Sequence, residues 1–309
     1  MKVEEIVKER ILESLKNGAA PWRSPYVGST RAINRFSRRG YRGLNLLLIP
    51  AGEYGSFAQW HKAGYHPMKG VKSHTAVFWK CYLRREDGAD TLPGLDDAEP
   101  SAERVTRRYV LRYYNIFERC QVVDADGNHP PALFEAPHQP SVPADDLNVR
   151  AIALLHSYMA AEGIAYHTAG GGCAYYSPKT DSITVPEGMR PDDEIQTTAH
   201  ECVHSTGIKC RLARDMGDGL RESRASYSRE ELIAETGAGL LTSRMLGVQR
   251  ADLDNSAAYC ASWARYIAGE TANNVVNALS RAIKAVDYIV DKSGLVPACD
   301  PQLDDTVNA

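Results

Sequence analysis

The residues with the clearest chemical meaning are His200-Glu201-Cys202-Val203-His204. Residues four apart in an α-helix share a face, so His200 and His204 can aim both imidazoles at one ion. Glu201 follows the first of them, where its carboxylate can reach a water at the same ion. Zinc hydrolysis needs two nitrogen ligands, a carboxylate base, a third protein ligand and an open fourth position. The ion lowers the pKa of water towards neutrality, and Glu201 takes the proton as hydroxide attacks a polarised carbonyl. Cys202 lies about 100° round the helix from the neighbouring residue and reads as apolar filler, not a nucleophile. His167, Tyr175 and Tyr176 are candidate oxyanion or substrate contacts, although plain packing is the commoner role for such side chains.

The third ligand must come from elsewhere, and the next helical stretch, SREELIAETGAGLL, is the best source. Glu231 and Glu235 are four apart and share a face. Glu230 points about 100° away from Glu231 and is the weaker candidate. One acid of the pair can bind the ion while the other orients a ligand histidine. The Glu-x-x-x-Glu spacing resembles the Glu-x-x-x-Asp helix of gluzincin peptidases, in which the first acid is the ligand. That resemblance favours Glu231 and leaves Glu235 as the alternative. The small apolar neighbours Leu232, Ile233, Ala234, Gly237 and Ala238 mark a close-packed helix, where bare acids need a partner. The implied cofactor is Zn2+ or another divalent ion such as Mn2+.

These residues must be positioned by helices. Pro191 with Asp192 and Asp193 opens the helix that carries the histidines, and Gly207 closes it. Ser228 is the expected cap of the glutamate helix, which should run to about Leu246. Upstream, a helix over 147–162 stops at Gly163, and 174–177 with 182–185 form a hairpin. Downstream, helices are expected over 256–269 and 271–292, with a frayed tail from Gly294. In the first half, residues 4–17 place Ile6, Val7, Ile11, Leu12 and Leu15 at helical spacing. Residues 74–83 and 109–117 are rich in aromatic and β-branched types and read as strands. The acidic stretch 86–104 between them reads as a long loop. The Pro-rich run around 131–146 reads as a linker, dividing the chain into units 1–130 and 147–309.

The two units differ in charge. The whole chain of 309 residues has a net charge of −3, but residues 1–130 hold 21 Lys+Arg against 15 Asp+Glu, and residues 131–309 hold 15 against 24. A basic unit joined to an acidic one points to two tasks. In the basic unit, Trp22, Arg23, Arg31, Arg35, Arg38, Arg39, Tyr41 and Arg42 interleave cations with aromatic rings. Lys69, Lys72, Trp79, Lys80, Arg107 and Arg108 extend the pattern, with Phe78 and Arg112 beside them. Cations neutralise phosphates and ring faces stack on unpaired bases, so the pattern suits a single-stranded nucleic acid. No zinc finger, helix-turn-helix or RRM-like signature specifies base reading. Seven scattered cysteines without a CxxC pair argue against a disulfide framework and for a reducing compartment. The opening residues lack a secretory h-region, and no run approaches the roughly 18 apolar residues of a spanning helix. A cytoplasmic monomer without membrane contact is expected.

Several runs together resemble a known family. PWRSPY, GYRGLNLLLI, FAQWHKAGY, KGVKSHTAVFWK and YYNIFERCQV are similar to the N-terminal single-stranded-DNA-binding domain of ArdC-type antirestriction proteins and to the N-terminal part of TraC-type plasmid primases. TTAHECVHSTG, CRLARD, YSREELIAETGAGLL and ASWARYI resemble the zincin-like metallopeptidase domain fused to it. The resemblance covers residues 4–292 and implies an α+β chain: a small mixed α/β DNA-binding domain followed by a zincin-like domain with the HExxH helix. It implies protection of incoming DNA from host restriction during conjugative transfer. Two departures stand out: a short segment before the Lys69-Gly70-Val71-Lys72 turn, and the acidic stretch 86–104. The competing expectations are a DNA-tethered zinc peptidase with an unidentified protein substrate, a non-catalytic strand-coating protein with a structural metal, and a DNA–protein crosslink protease.

Overall fold

The computed structural model describes residues 2–23, 32–84, 90–91, 106–133, 144–214, 224–245 and 256–294. The first half runs α1 (Val3–Lys16), β1 (Ala32–Asn34), α2 (Asn45–Leu48), β2 (Gly52–Ser56), α3 (Phe57–Lys62), β3 (His66–Pro67), β4 (His74–Arg84), β5 (Asp90–Thr91), β6 (Thr106–Glu118) and β7 (Val122–Val123). The expected strands became β4 and β6, paired antiparallel over their full length from His74↔Ile116 to Arg84↔Thr106. They form the middle of a five-stranded sheet of order β1-β2-β6-β4-β5, whose β1–β2 pair is parallel. The expectation missed β1 and β2, which are only three and five residues long. Helix α3 starts at a capping box, with Ser56 Oγ accepting from Gln59 N–H and Gln59 Oε1 accepting from Ser56 N–H.

The second half runs α4 (Ala144–Glu162), β8 (Ala165–Ala169), β9 (Tyr175–Ser177), β10 (Ser182–Pro186), α5 (Pro191–Ser205), α6 (Arg224–Gly239), α7 (Ser256–Gly269) and α8 (Ala272–Ser293), with a π-turn over Leu240–Met245. The β9–β10 hairpin is joined by β8, which pairs parallel with β10. No alternation announced β8, because its side chains are mostly exposed on both faces. Helix α6 begins four residues before Ser228, so Ser228 lies inside the helix and is not its cap. Helix α8 buries Val275, Val276, Leu279, Ala282, Ile283, Val286 and Ile289 on one stripe, the three-and-four spacing of an amphipathic helix.

One large core joins α4, α5, α6, α7 and α8, and it also takes in Val7, Ile11 and Leu15 of α1 together with Trp22. Helix α1 therefore lies against α7 and α8. A smaller cluster of Ala32, Tyr41, Ile49, Tyr54, Ala76 and Ile116 fills the first half's sheet. No helix among the described residues is long and apolar enough to cross a membrane.

Candidate metal centre

Helices α5 and α6 cross with their functional faces together. Gly237 of α6 makes the approach possible: a Cβ there would stand 2.8 Å from Val203 Cγ2 and 3.1 Å from Cγ1. The expected pairing of His200 and His204 on one face is found, with Nε2 atoms 3.1 Å apart. Glu231 faces both, Oε2 at 3.5 Å from His200 Nε2 and Oε1 at 3.5 Å from His204 Nε2. Donor atoms of His200, His204 and Glu231 all lie within 4.8 Å of one another. Two ligands about 2.05 Å from a tetrahedral zinc stand about 3.3 Å apart, so the observed nitrogen separation is close to what a shared ion requires. The donor set of two imidazoles and one carboxylate is that of hydrolytic zinc sites.

The outer nitrogens of the two rings are also met by α6. Glu235 Oε2 lies 3.7 Å from His200 Nδ1, and Glu230 Oε1 lies 3.4 Å from His204 Nδ1. Glu230, the weaker candidate from the sequence, is therefore the partner of His204. Each of these acids is held by a guanidinium. Arg214 grips Glu230 with two bonds of 2.7 and 3.1 Å, and donates to Val203 O and Thr206 Oγ1 at the end of α5. Arg23 donates to Glu235 at 2.6 Å. Neither arginine entered the sequence reading as a member of this site. With four carboxylates and two guanidiniums gathered, and the histidines neutral, the site carries two uncompensated negative charges, which suit a dication.

Glu201 is buried, and burial raises its carboxyl pKa, while the two histidines and the Tyr176 backbone N–H lower it and Glu231 raises it further. Burial alone would lower the His200 value, but Glu231 and Glu235 outweigh it and lift it to about 10. His204 is raised in the same way, burial being overcome by Glu230 and Glu231. Glu231 is pushed well below the ordinary carboxylate range, burial being outweighed by the two rings. Cys202 is fully buried, and burial pushes its thiol up, which fits the filler role. Tyr176 is buried, with its hydroxyl donating to Asp181 at 2.7 Å, so that hydroxyl is a structural group; Tyr175 and His167 are exposed.

The basic unit corrects part of its expectation. Trp22 is fully buried, its Nε1 donating to the Tyr259 hydroxyl at 2.8 Å, so its face cannot receive a base. Arg23 is spent on Glu235, and Arg35 on Glu53 and the Pro131 carbonyl. Tyr41 is buried edge-on against Tyr54. Arg31 lies outside the described residues. Arg38, Arg39, Arg42, Lys69, Lys72, Arg107 and Arg108 are exposed, and Lys80 is half-buried. Phe36 in that run is exposed, and most other exposed rings of the first half lie on the β4–β6 pair. Cross-strand partners share a face, so Phe78 and Arg112, Tyr82 and Arg108, Ala76 and Tyr114 stand together with Lys80. Phe78 is 43% and Tyr114 38% exposed, their centroids 5.8 Å apart. Trp79, Tyr109 and Tyr113 are exposed on the other face. Sequence reading found Phe78, Trp79 and Arg112 here but missed the tyrosines, whose alternation only pairing makes meaningful.

Comparison with known proteins bears on both halves. Residues 1–117 match the family described as the N-terminal domain of the anti-restriction factor ArdC, and residues 154–281 match a zincin-like metallopeptidase family. An uncharacterized protein y4eC of Sinorhizobium fredii is 31% identical over 303 residues, covering 93% of this chain and 91% of that protein. A DNA primase TraC of Escherichia coli is 30% identical over 301 residues, which cover 93% of this chain but 20% of the primase. The crystal structure of the antirestriction ArdC protein of plasmid R388 in metal-free form superposes with a TM-score of 0.63 at 25% identity, covering 95% of this chain and 98% of that one. Its Mn(II)-bound form gives the same TM-score at 24% identity over the same coverage.

Proposed function

Because the chain belongs to the family that joins an ArdC-type N-terminal domain to a zincin-like metallopeptidase domain, we propose that it is a plasmid-type antirestriction protein with a peptidase centre. His200, His204 and Glu231 would hold a divalent cation, Zn2+ or another such as Mn2+, and Glu201 is the general base. The convergence of two Nε2 atoms and both Glu231 oxygens carries this reading. The Mn(II)-bound form of R388 ArdC supports a divalent ion in the family.

When bound, such a cation supplies Lewis acidity that polarises a scissile carbonyl. Glu201 takes a proton from the attacking water onto its carboxylate and returns it to the leaving amine nitrogen. Its burial, which raises its proton affinity, suits that exchange. Glu230 and Glu235 stand beside the outer nitrogens of the two rings, at 3.4 and 3.7 Å. The protein works as a cytoplasmic monomer and meets its protein substrate on DNA.

Single-stranded DNA is the second partner of this reading. The face of β4–β6 with Phe78, Lys80, Tyr82, Arg108, Arg112 and Tyr114 supports it, since it offers rings for bases and cations for phosphates.

Glu201→Gln tests the enzyme. It should keep the fold, the cation and DNA affinity while losing hydrolysis, and capture of proteins by this variant should return the substrate. If protection from restriction survives the substitution unchanged, protection works by strand coating and not by proteolysis. A client found only on DNA–protein crosslinks would move the function to repair.

A further inference from the structure

Resting on that reading of the metal centre, we propose that Arg23, from the N-terminal half, is a positioning residue for the ligand His200 and acts through Glu235. Glu235 Oε2 lies 3.7 Å from His200 Nδ1, the nitrogen turned away from Glu231. Its Oε1 is held by two donors, Arg23 Nη2 at 2.6 Å and the Tyr259 hydroxyl. The Arg23 guanidinium carbon stands 3.8 Å from the Tyr259 ring centroid, so the cation is stacked and hydrogen-bonded at once. Trp22 Nε1 donates to the Tyr259 hydroxyl at 2.8 Å, which leaves that hydroxyl's proton for Glu235.

The backbone that delivers Arg23 is itself seated on α6. A Cβ on Gly239 would come 2.8 Å from the Trp22 carbonyl oxygen and 2.8 Å from Trp22 Cδ1. Gly239 is one turn beyond Glu235 on the same face, so the missing side chain lets the N-terminal segment lie directly over the acid. A carboxylate with one oxygen fixed by two donors has little rotational freedom. Its other oxygen stays at ion-pair distance from His200 Nδ1, which favours the proton on that nitrogen and turns the Nε2 lone pair towards the ion site. His204 has the matching arrangement in Glu230 and Arg214, wholly within the second half. Among the described residues, only the His200 arm reaches back to the N-terminal half, with Arg23 lying 212 residues before Glu235 in sequence.

The test uses full-length protein and Co2+ as probe. Affinity is read by competition with a chromophoric chelator, and ligand geometry by the visible spectrum of bound Co2+. Arg23→Gln should weaken Co2+ binding about 10–100-fold, as loss of a ligand's supporting partner does elsewhere, and should change the spectrum. Arg23→Lys keeps the charge without the fork and should fall between. Added to Glu235→Gln, Arg23→Gln should cost nothing more, because both act on the same ring. Wild-type affinity in Arg23→Gln, or effects of the two substitutions that add, overturns the proposal. If Arg23→Gln does not fold by circular dichroism, Arg23→Lys and Tyr259→Phe carry the same comparison. Wild-type protein that binds no Co2+ defeats the metal reading itself, whereas wild-type binding with an indifferent Arg23 defeats only the relay.

Discussion

Gly237→Ala should damage the metal centre without touching any ligand. The added Cβ would sit 2.8 Å from Val203 Cγ2 and 3.1 Å from Cγ1, whereas carbon pairs are content at about 3.5–4.0 Å. Val203 is fully buried, and a β-branched residue in a helix has essentially one χ1 rotamer, so it cannot swing aside. The helices must part by about 0.7 Å to restore contact distance. Against this, alanine gains about 1 kcal/mol of helix propensity over glycine. Overpacking costs about 1–3 kcal/mol, so the net destabilisation is about 0–2 kcal/mol. Metal affinity is the sharper readout, because ligand distances tolerate only about 0.2 Å. A displacement of α6 against α5 carries Glu231 away from both rings, and affinity should fall about tenfold or more, on the scale of losing a supporting partner. Chelator competition measures it, with urea denaturation of the metal-free protein beside it. Val203→Ala in the same chain should return most of the affinity. A Gly237→Ala protein stabilised by the full propensity gain, with unchanged affinity, would refute the close-contact argument.

Three further outcomes are expected. Arg214→Met leaves the buried Glu230 with His204 as its partner and without its guanidinium, and should cost up to about 3–5 kcal/mol in urea denaturation; adding Glu230→Gln should recover part of the loss, and no recovery would show that the ion pair is not the cause. Asp181 is pushed up by burial but more strongly down by the Arg211 guanidinium and the Tyr176 hydroxyl, so its folded pKa lies below its unfolded one. Its contribution is complete above the unfolded value near pH 4 and is lost as pH falls through the depressed folded value; Asp181→Asn should therefore lower the urea midpoint at pH 6 and flatten its fall towards pH 3, and parallel curves would reject the assignment. Phe78→Ala and Tyr114→Ala should each weaken single-stranded oligonucleotide binding by about 1–3 kcal/mol in fluorescence anisotropy, with a steep salt dependence; equal affinity for duplex would remove stacking from the explanation.

The centre was legible where helix geometry alone decides. The four-residue spacing of His200 and His204 suffices to bring their Nε2 atoms together. The helix that supplies the acids was also readable, from small residues beside the glutamates. Glu231, favoured there by its spacing and resemblance, is the acid that meets both rings; the role of Glu230 was not legible, because it depends on how α6 is rotated against α5. Glu230, about 100° round from Glu231, was discounted on the assumption that it faces away from the site. On a crossing helix that angle leads to the next turn of the partner, and there His204 presents its Nδ1. Arg214 and Arg23 left no local signal, being partners through space. The aromatic, basic run was readable only in part, for a different reason: composition cannot separate a ring that stacks from a ring that packs. Trp22 and Tyr41 went into cores, and most exposed rings of the first half sit on strands where the cross-strand register places them.

Packing crosses the boundary that sequence composition draws. Charge and proline content divide the chain near the middle. The large core nevertheless claims Val7, Ile11 and Leu15 of α1, four residues apart and so on one face, where α1 lies against α7 and α8. Trp22 and Arg23 then pass over Gly239 to reach Glu235. The opening twenty-three residues thus contribute both a structural stripe and a charged contact to the second half. Helix α6 receives all of it: Glu231 between the rings, Glu230 and Glu235 behind them, Gly237 under Val203 and Gly239 under Trp22. A perturbation that shifts α6 is felt at both histidines, and one of the residues able to hold it in place comes from the half that presents the β4–β6 face. A change in how the N-terminal segment sits therefore has a direct route to His200 through Glu235.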